Sequence, residues 1–174
     1  MTTRLTLRWL LAGAALSGLW NLTGVAASVN ADTRAGTTFV VVAGKGFGLS
    51  DLPLAVLRRA YDGDPTRVAG MRLIPFNYPS EHALRQRFDL LVLELRPSEI
   101  GRYWIDRRIR GEGYPPRTLQ HPDILKAVVA RLRGAIGYLP DEQLDNSVRA
   151  LTIDGRAHTA AGYALRYTPD PTGL

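Results

Sequence analysis

The sequence has no cysteine among its 174 residues, so disulfides, thiolate metal ligands, iron–sulfur clusters and a cysteine nucleophile are excluded. Lysine is also scarce, since only Lys45 and Lys126 occur, and arginine carries almost all of the positive charge. Hydrophobic residues make up 45% and charged residues 22% of the chain, which are values typical of a globular protein. The formal net charge of +6 slightly favours acidic partners and does not by itself indicate nucleic acid.

The N-terminal segment 1–31 has the three-part layout of a secretory signal peptide. Arg4 and Arg8 form a positive start, an uncharged apolar stretch follows, and small residues lead to Ala27 and Ala31. We predict cleavage after one of these alanines, export to the periplasm, and no stable membrane insertion after cleavage. The alternative is a membrane anchor, because the uncharged stretch nearly spans a bilayer when its weakly polar residues are included.

Strand and helix patterns alternate through the rest of the chain. Strands are predicted at 37–42, 71–75, 134–138 and 148–153, and helices are predicted to begin at Ser50, Ser80, Ser98 and Asp123. The alternation predicts one α/β domain, residues 32–154, with a central mixed sheet flanked by helices. Residues 155–174 are predicted to form a C-terminal tail that is ordered at most in part, with Tyr163–Tyr167 as a candidate edge strand.

The loop Gly44–Ser50 is the best local candidate for an anion-binding loop, because it follows a predicted strand and opens a predicted helix. Its glycines let a backbone approach an anion, and Lys45 adds a positive charge. The spacing matches neither the P-loop nor the dinucleotide-binding fingerprint. The alternative is an ordinary connection between a strand and a helix.

Other patterns give no support for catalysis or for a cofactor. The three histidines lie far apart without a second ligand at helical spacing, no Gly-x-Ser-x-Gly elbow occurs, and no acid–base pair stands out. We therefore predict a non-enzymatic protein without metal or cofactor. One arginine-rich stretch fits a solvated helix face better than a nucleic-acid surface, because acidic residues dilute its charge; it contains Arg102, Arg107, Arg108 and Arg110.

Several short motifs follow one another in a familiar order. A helix ends in Tyr61-Asp62-Gly63, an aromatic helix contains Tyr103-Trp104, and a late strand reads Gly134-Ala135-Ile136-Gly137-Tyr138. From Phe39 to Ile153 the chain resembles the periplasmic substrate-binding proteins of phosphate ABC transporters. The resemblance implies a type II periplasmic-binding fold in truncated form, in which helix N-termini hold an oxyanion between two lobes.

The resemblance also implies a site and partners. Phosphate or a similar oxyanion would be the ligand, and an ABC permease or another envelope protein would be the partner. The candidate ligand-binding residues are Ser80, which matches the family's pattern, Lys45 and Gly46 of the Gly44–Ser50 loop, and His82 and Arg85 as helpers close to Ser80. The Arg and the Ser-Gly-Thr of the family are reduced here to Ser80, followed by Glu81 and His82. Two hypotheses stay open: an oxyanion-binding protein, or a non-ligand-binding interaction or accessory module on the same scaffold.

Overall fold

A computed structural model describes residues 36–169, so the predicted signal peptide and the last five residues lie outside the described part of the chain. The elements in chain order are β1 (Thr37–Ala43), β2 (Asp51–Leu52), α1 (Leu54–Tyr61), β3 (Arg67–Val68), β4 (Met71–Arg72), β5 (Ile74–Asn77), α2 (Ala83–Val92), α3 (Pro97–Arg110), β6 (Arg117–Thr118), α4 (Pro122–Arg131), β7 (Ala135–Pro140), a 3-10 turn (Asp141–Gln143), β8 (Arg149–Ala150), β9 (Thr152–Ile153) and β10 (Arg166–Tyr167).

The main sheet is mixed and has the strand order β10-β1-β7-β5-β6, with β8 also pairing with β1. Strand β1 is antiparallel to β7, β8 and β10, whereas β5 is parallel to both β7 and β6. Two short pairs complete the structure: β2 is parallel to β9, and β3 is antiparallel to β4. The predicted α/β class with a central mixed sheet is confirmed.

Helices cover both faces of this sheet, as the alternation of side chains along β7 shows. Gly137 faces α4, where a Cβ on the glycine would lie 2.5 Å from a methyl carbon of Leu125. The next residue, Tyr138, points to the opposite face, because successive side chains of a strand alternate. Its ring stacks on Phe88 of α2 with the centroids 3.6 Å apart. Gly137 is therefore required by the close approach of α4 to the sheet.

The core on the α1 and α2 side is aromatic. Tyr61, Phe88, Tyr138 and Phe39 are all fully buried, and their rings meet at centroid distances of 3.6 to 5.8 Å. Burying an aromatic side chain of this size contributes roughly 1.5–3 kcal/mol to the free energy of unfolding. This cluster fixes α1 and α2 against β1 and β7.

None of the three serines Ser50, Ser80 and Ser98 is the N-cap that the sequence predicts, although the predicted helix at 97–99 does begin at Pro97. The residues after Ser50 pair with β9, so α1 begins only after Pro53. The cap of α2 is His82, and α3 follows Arg96. A long-range strand pair and local turns thus override the preference of serine for the N-cap position.

Residues 155–169 of the predicted C-terminal tail pack against the α/β domain. Tyr163 and Leu165 are buried in the core, at 4% and 0% exposure. The backbone N–H of Phe39 donates to the carbonyl of Leu165 at 2.8 Å, and β10 pairs with the start of β1. The candidate edge strand within 163–167 is confirmed at Arg166–Tyr167. It is held by pairing with the outer edge of β1 and by the burial of the neighbouring Tyr163 and Leu165.

The predicted strand at 148–153 is divided in two. Its first half, β8, pairs with β1, whereas its second half, β9, pairs with β2. Between them, the N–H of Leu151 donates to the carbonyl of Val41 at 2.8 Å. Across the described residues 36–169, no helix combines the length and the apolar content needed to cross a bilayer.

Candidate oxyanion site

Strand direction separates the main sheet into two edges. The parallel strands β5, β6 and β7 end at one edge, and α2 and α4 begin there. In open α/β sheets, ligands bind outside the carboxyl ends of such strands. We call this the α2–α4 edge and define it by Tyr78, Ser80, Glu81, His82 and His121. It is the region where the sheet topology favours an anion site.

Lys45 and Gly46 lie at the opposite edge of the sheet. Because β1 is antiparallel to β7, Ala43 pairs with Ile136 near the start of β7, whereas Phe39 pairs with Pro140 at its end. The four residue steps from Ala43 to Phe39 alone span about 13 Å. One small oxyanion therefore cannot contact both Lys45 and Ser80.

The loop around Lys45 faces the wrong end of a helix for anion binding. The N–H of Phe47 donates to the carbonyl of Gly44 at 2.9 Å, which closes a tight turn. A Cβ on Gly44 would lie 2.8 Å from the carbonyl oxygen of Val129, near the C-terminus of α4. That end of a helix carries the negative part of the dipole. Lys45 and Gly46 are exposed beside it.

At the α2–α4 edge, the Glu81 carboxylate accepts hydrogen bonds from the donors that would otherwise bind an oxyanion. The hydroxyl of Ser80 donates to Oε2 of Glu81 at 3.1 Å. The pKa of Glu81 is lowered, first by a hydrogen bond from its own backbone N–H and then by the bond from Ser80. The carboxylate is therefore the anion that these groups stabilise.

His82 caps α2 in its neutral form. Its Nδ1 accepts a hydrogen bond from the backbone N–H of Leu84 at 3.2 Å, and its ring stacks on Tyr78 with the centroids 4.8 Å apart. Burial lowers the pKa of His82; the charge of Glu81 opposes this effect, and His121 adds a smaller lowering. One of the free N–H groups at the start of α2 is thus already bonded.

Arg85 is turned into the protein. Its side chain is 6% exposed, and its Nε donates to Oδ2 of Asp89 at 3.0 Å. Its Nη1 donates to the carbonyl of Tyr78 at 2.9 Å. Burial raises the pKa of Asp89, and the attraction of Arg85 opposes that rise. Arg85 therefore holds α2 to the end of β5, and its guanidinium is buried rather than open to solvent at the α2–α4 edge.

Sequence reasoning missed a second internal carboxylate at a helix start. Oδ1 of Asp154 accepts from the backbone N–H of Leu54, the first residue of α1, at 3.1 Å. Nearby, Oδ1 of Asp51 accepts from the N–H of Gly155 at 2.8 Å and from the hydroxyl of Thr152, and these bonds lower the pKa of Asp51. The Asp-Gly pair at 154–155 is a turn signal, but nothing local shows that it meets α1.

Helices α3 and α4 also have an acidic residue in the first turn. Oε2 of Glu99 accepts from the backbone N–H of Arg96 at 2.8 Å, at the beginning of α3. Asp123 lies in the first turn of α4. Within residues 36–169, no group of three or more His, Asp and Glu side chains is arranged to hold a metal ion. The chemistry available at these helix starts is hydrogen bonding and charge.

Comparison with known proteins defines the fold class. No protein-family model and no curated protein matches the sequence. Solved structures do match, and several of them are substrate-binding proteins of phosphate transport. The chain has the fold of the phosphate ABC transporter substrate-binding proteins, which confirms the resemblance at the level of fold.

Three structures illustrate this similarity. An ABC-type phosphate transport receptor from Vibrio cholerae matches 78% of this chain and 55% of its own, with a TM-score of 0.62 and 15% identity. A putative phosphate ABC transporter substrate-binding protein with bound phosphate from Clostridium perfringens matches 81% and 58%, with a TM-score of 0.57 and 16% identity. PstS from Borrelia burgdorferi matches 79% and 59%, with a TM-score of 0.56 and 10% identity. This chain thus spans between half and three fifths of their lengths.

Proposed function

We propose that this chain is an exported, non-catalytic accessory protein that uses a phosphate-binding scaffold to contact another envelope protein, with an ABC permease as the first candidate. The fold supports the scaffold, and the layout of residues 1–31 supports export to the periplasm. In this proposal the protein does not capture phosphate tightly.

The observation that carries the proposal is the state of the α2 start. Ser80 already donates to the Glu81 carboxylate, and the N–H of Leu84 already donates to His82. An incoming phosphate would have to displace both acceptors and would meet a negative charge of the same sign. Arg85, the nearest cation in the sequence, is bonded to Asp89 in the interior.

Titration calorimetry with phosphate and with sulfate tests the absence of tight capture. We expect the protein recovered from the periplasm to show no saturable heat, which corresponds to a Kd above about 1 mM, or a binding free energy weaker than about 4 kcal/mol. Ser80→Ala and Lys45→Ala serve as matched variants and should leave the titration unchanged. A micromolar Kd that is lost in Ser80→Ala would contradict the proposal.

Photo-cross-linking in intact cells tests the contact itself. A photoreactive amino acid is placed at exposed positions of the exported chain, and the adducts are identified by mass spectrometry. We expect one discrete adduct with an envelope protein, the permease first, from adjacent positions on one face. Only diffuse adducts, or none, from all faces would refute a role in protein contact.

Weak oxyanion capture at the α2–α4 edge is the second candidate. It is favoured by the position of His82, which caps the start of α2 two residues after Ser80. Protonation of His82 would place a positive charge at this edge. Phosphate heat that appears at pH 5.5, is absent at pH 7.5, and disappears in His82→Asn would support this candidate over the first.

A further inference from the structure

The outer face of α3 carries an apolar row that nothing in the described chain covers. Gly101, Ile105 and Ile109 follow one another at four-residue spacing, so they form one ridge along the helix. Ile105 is 55% exposed and Ile109 is 79% exposed, while Ile100 and Trp104 on the opposite side are buried. A helix of this length buries one stripe in its own domain, and here a second stripe is left in solvent.

Because Gly101 has no side chain, it leaves a gap at one end of this row, which we call the notch. A Cβ at this position would have no atom of residues 36–169 within 4 Å, so none of these residues requires a glycine here. A glycine inside a helix destabilises it by about 0.5–1 kcal/mol relative to alanine. Gly137 in β7 differs, because its missing side chain makes room for Leu125. The open space at Gly101 suits a side chain that arrives from outside the chain.

We propose that two copies of this protein pair through α3 in an antiparallel arrangement, with a twofold axis at Ile105. Such an axis places each residue opposite the one equally far on the other side of Ile105. Ile109 of one copy then fills the notch at Gly101 of the second copy, and the reverse contact is identical. The two Ile105 side chains meet at the axis.

The charges beside the row support this partner. Arg102 and Asp106 lie on the same flank of the row, one turn apart, with Nε and Oδ2 separated by 3.8 Å; their side chains are 89% and 47% exposed. The twofold axis brings Arg102 of each copy beside Asp106 of the other, which gives two ion pairs across the contact. A different partner protein that covered Ile105 would not necessarily offer charges that match Arg102 and Asp106 in this way.

The pairing is weak by its size and by two like-charge contacts. Two helices of this length bury less than the roughly 1,200 Å² that stable interfaces bury, so we expect a Kd on the order of 10–100 µM. The two Asp106 copies lie about 3 Å apart along the axis, since each is one residue from Ile105. Arg108 is exposed on the other flank, and its two copies lie about 9 Å apart along the axis, since each is three residues from Ile105.

Sedimentation of the exported full-length protein, from about 5 to 500 µM, tests the pairing. We expect Arg102→Asp and Asp106→Arg each to raise the dimer Kd about tenfold, and the double variant to restore it. Gly101→Leu fills the notch and should abolish the dimer while the circular dichroism of the monomer is kept. Ile124→Arg is the matched control, because Ile124 is an exposed isoleucine on α4, 46% exposed, and the change should leave the dimer intact.

Three results overturn self-pairing: a wild-type protein that stays monomeric throughout this range, a charge-swapped double variant that is no better than the singles, or a dimer that survives Gly101→Leu. If the wild type is monomeric and Gly101→Leu instead removes an envelope-protein cross-link, the row belongs to that other protein. The phosphate titration tests anion binding at the α2–α4 edge, so its outcome is independent of whether two copies pair through α3.

Discussion

Replacing Arg85 by methionine removes the cation from a buried ion pair and leaves the Asp89 carboxylate without its partner. The two side chains are 6% and 3% exposed, so water cannot take the place of the guanidinium. Removing one member of such a pair costs about 3–5 kcal/mol of the free energy of unfolding. A domain of this size has roughly 7–20 kcal/mol in total, so we expect the variant to be folded and much less stable.

Urea unfolding measures this loss. With a slope of about 2 kcal/mol per molar, a loss of about 4 kcal/mol lowers the midpoint by about 2 M. The loss should depend on pH, because the pKa of Asp89 is already raised by burial and rises further without Arg85. A carboxyl with a raised pKa in the fold is favourable when protonated, and that stability is lost as the pH rises above its ordinary value of 3.8. The deficit is therefore smaller at pH 4 than at pH 7.

A double variant separates the ion pair from simple packing. In Arg85→Met with Asp89→Leu no charge is left in the interior, and we expect most of the stability to return. The reasoning is refuted if Arg85→Met alone loses less than about 1 kcal/mol. It is also refuted if the double variant is as unstable as the single one, because the unpaired carboxylate would then not be the cause.

Three further changes test the cap of α2, the contact of α4 and the cap of α1. Wild-type thermal stability should fall as the pH drops below about 6.5, because the fold favours neutral His82, and His82→Asn should keep the cap and remove this slope. Gly137→Ala should cost about 1–3 kcal/mol by urea unfolding, since its Cβ meets Leu125, whereas Gly46→Ala, with open space, should be near neutral. Asp154→Ala should cost about 0.5–2 kcal/mol by the same assay, and Asp154→Asn, which can still accept from α1 and tolerates the positive φ of 50°, should cost less. Equal effects in either matched pair, or an unchanged pH slope in His82→Asn, would contradict these assignments.

Elements with a strong period were predictable from the sequence. The β-branched run of β1 and the glycine-bounded strand β7 are buried as expected, and α4 buries Leu125 and Val129, which recur at helical spacing. These segments carry their structural information within a few neighbouring residues. The fold class follows from their alternation, and the solved structures agree with it.

Features that depend on partners far along the chain were not predictable. The apolar residues Leu84, Phe88 and Leu91 recur at helical spacing in α2 and predict its buried side. Phe88 is buried, but so are Arg85 and Asp89, which the apolar pattern does not indicate. Two charged residues that form an ion pair at i and i+4 can both be buried, so the buried face of such a helix is not recognisable from its apolar residues alone. Arg107, expected in solvent, is 13% exposed because it pairs with Asp64 at 2.8 Å and with Asp62 at 3.3 Å.

The candidate site shows the same division. The negative charge of Glu81 beside Ser80 is visible in the sequence, and a charge at that place opposes an anion at the start of α2. The separation of Lys45 from Ser80 was not visible, since it depends on the antiparallel direction of β1 against β7. A sequence pattern does not specify strand direction, and only the pairing register does.

The position of β1 has a consequence for how this protein is made. Its outer edge is covered by β8 and β10, and Thr37 pairs with Tyr167, so the earliest described strand is completed only by the latest one. Until β10 is in place, a valine-rich strand has an unpaired edge that other chains can join. We expect a chain truncated before Arg166 to aggregate more readily than the whole chain.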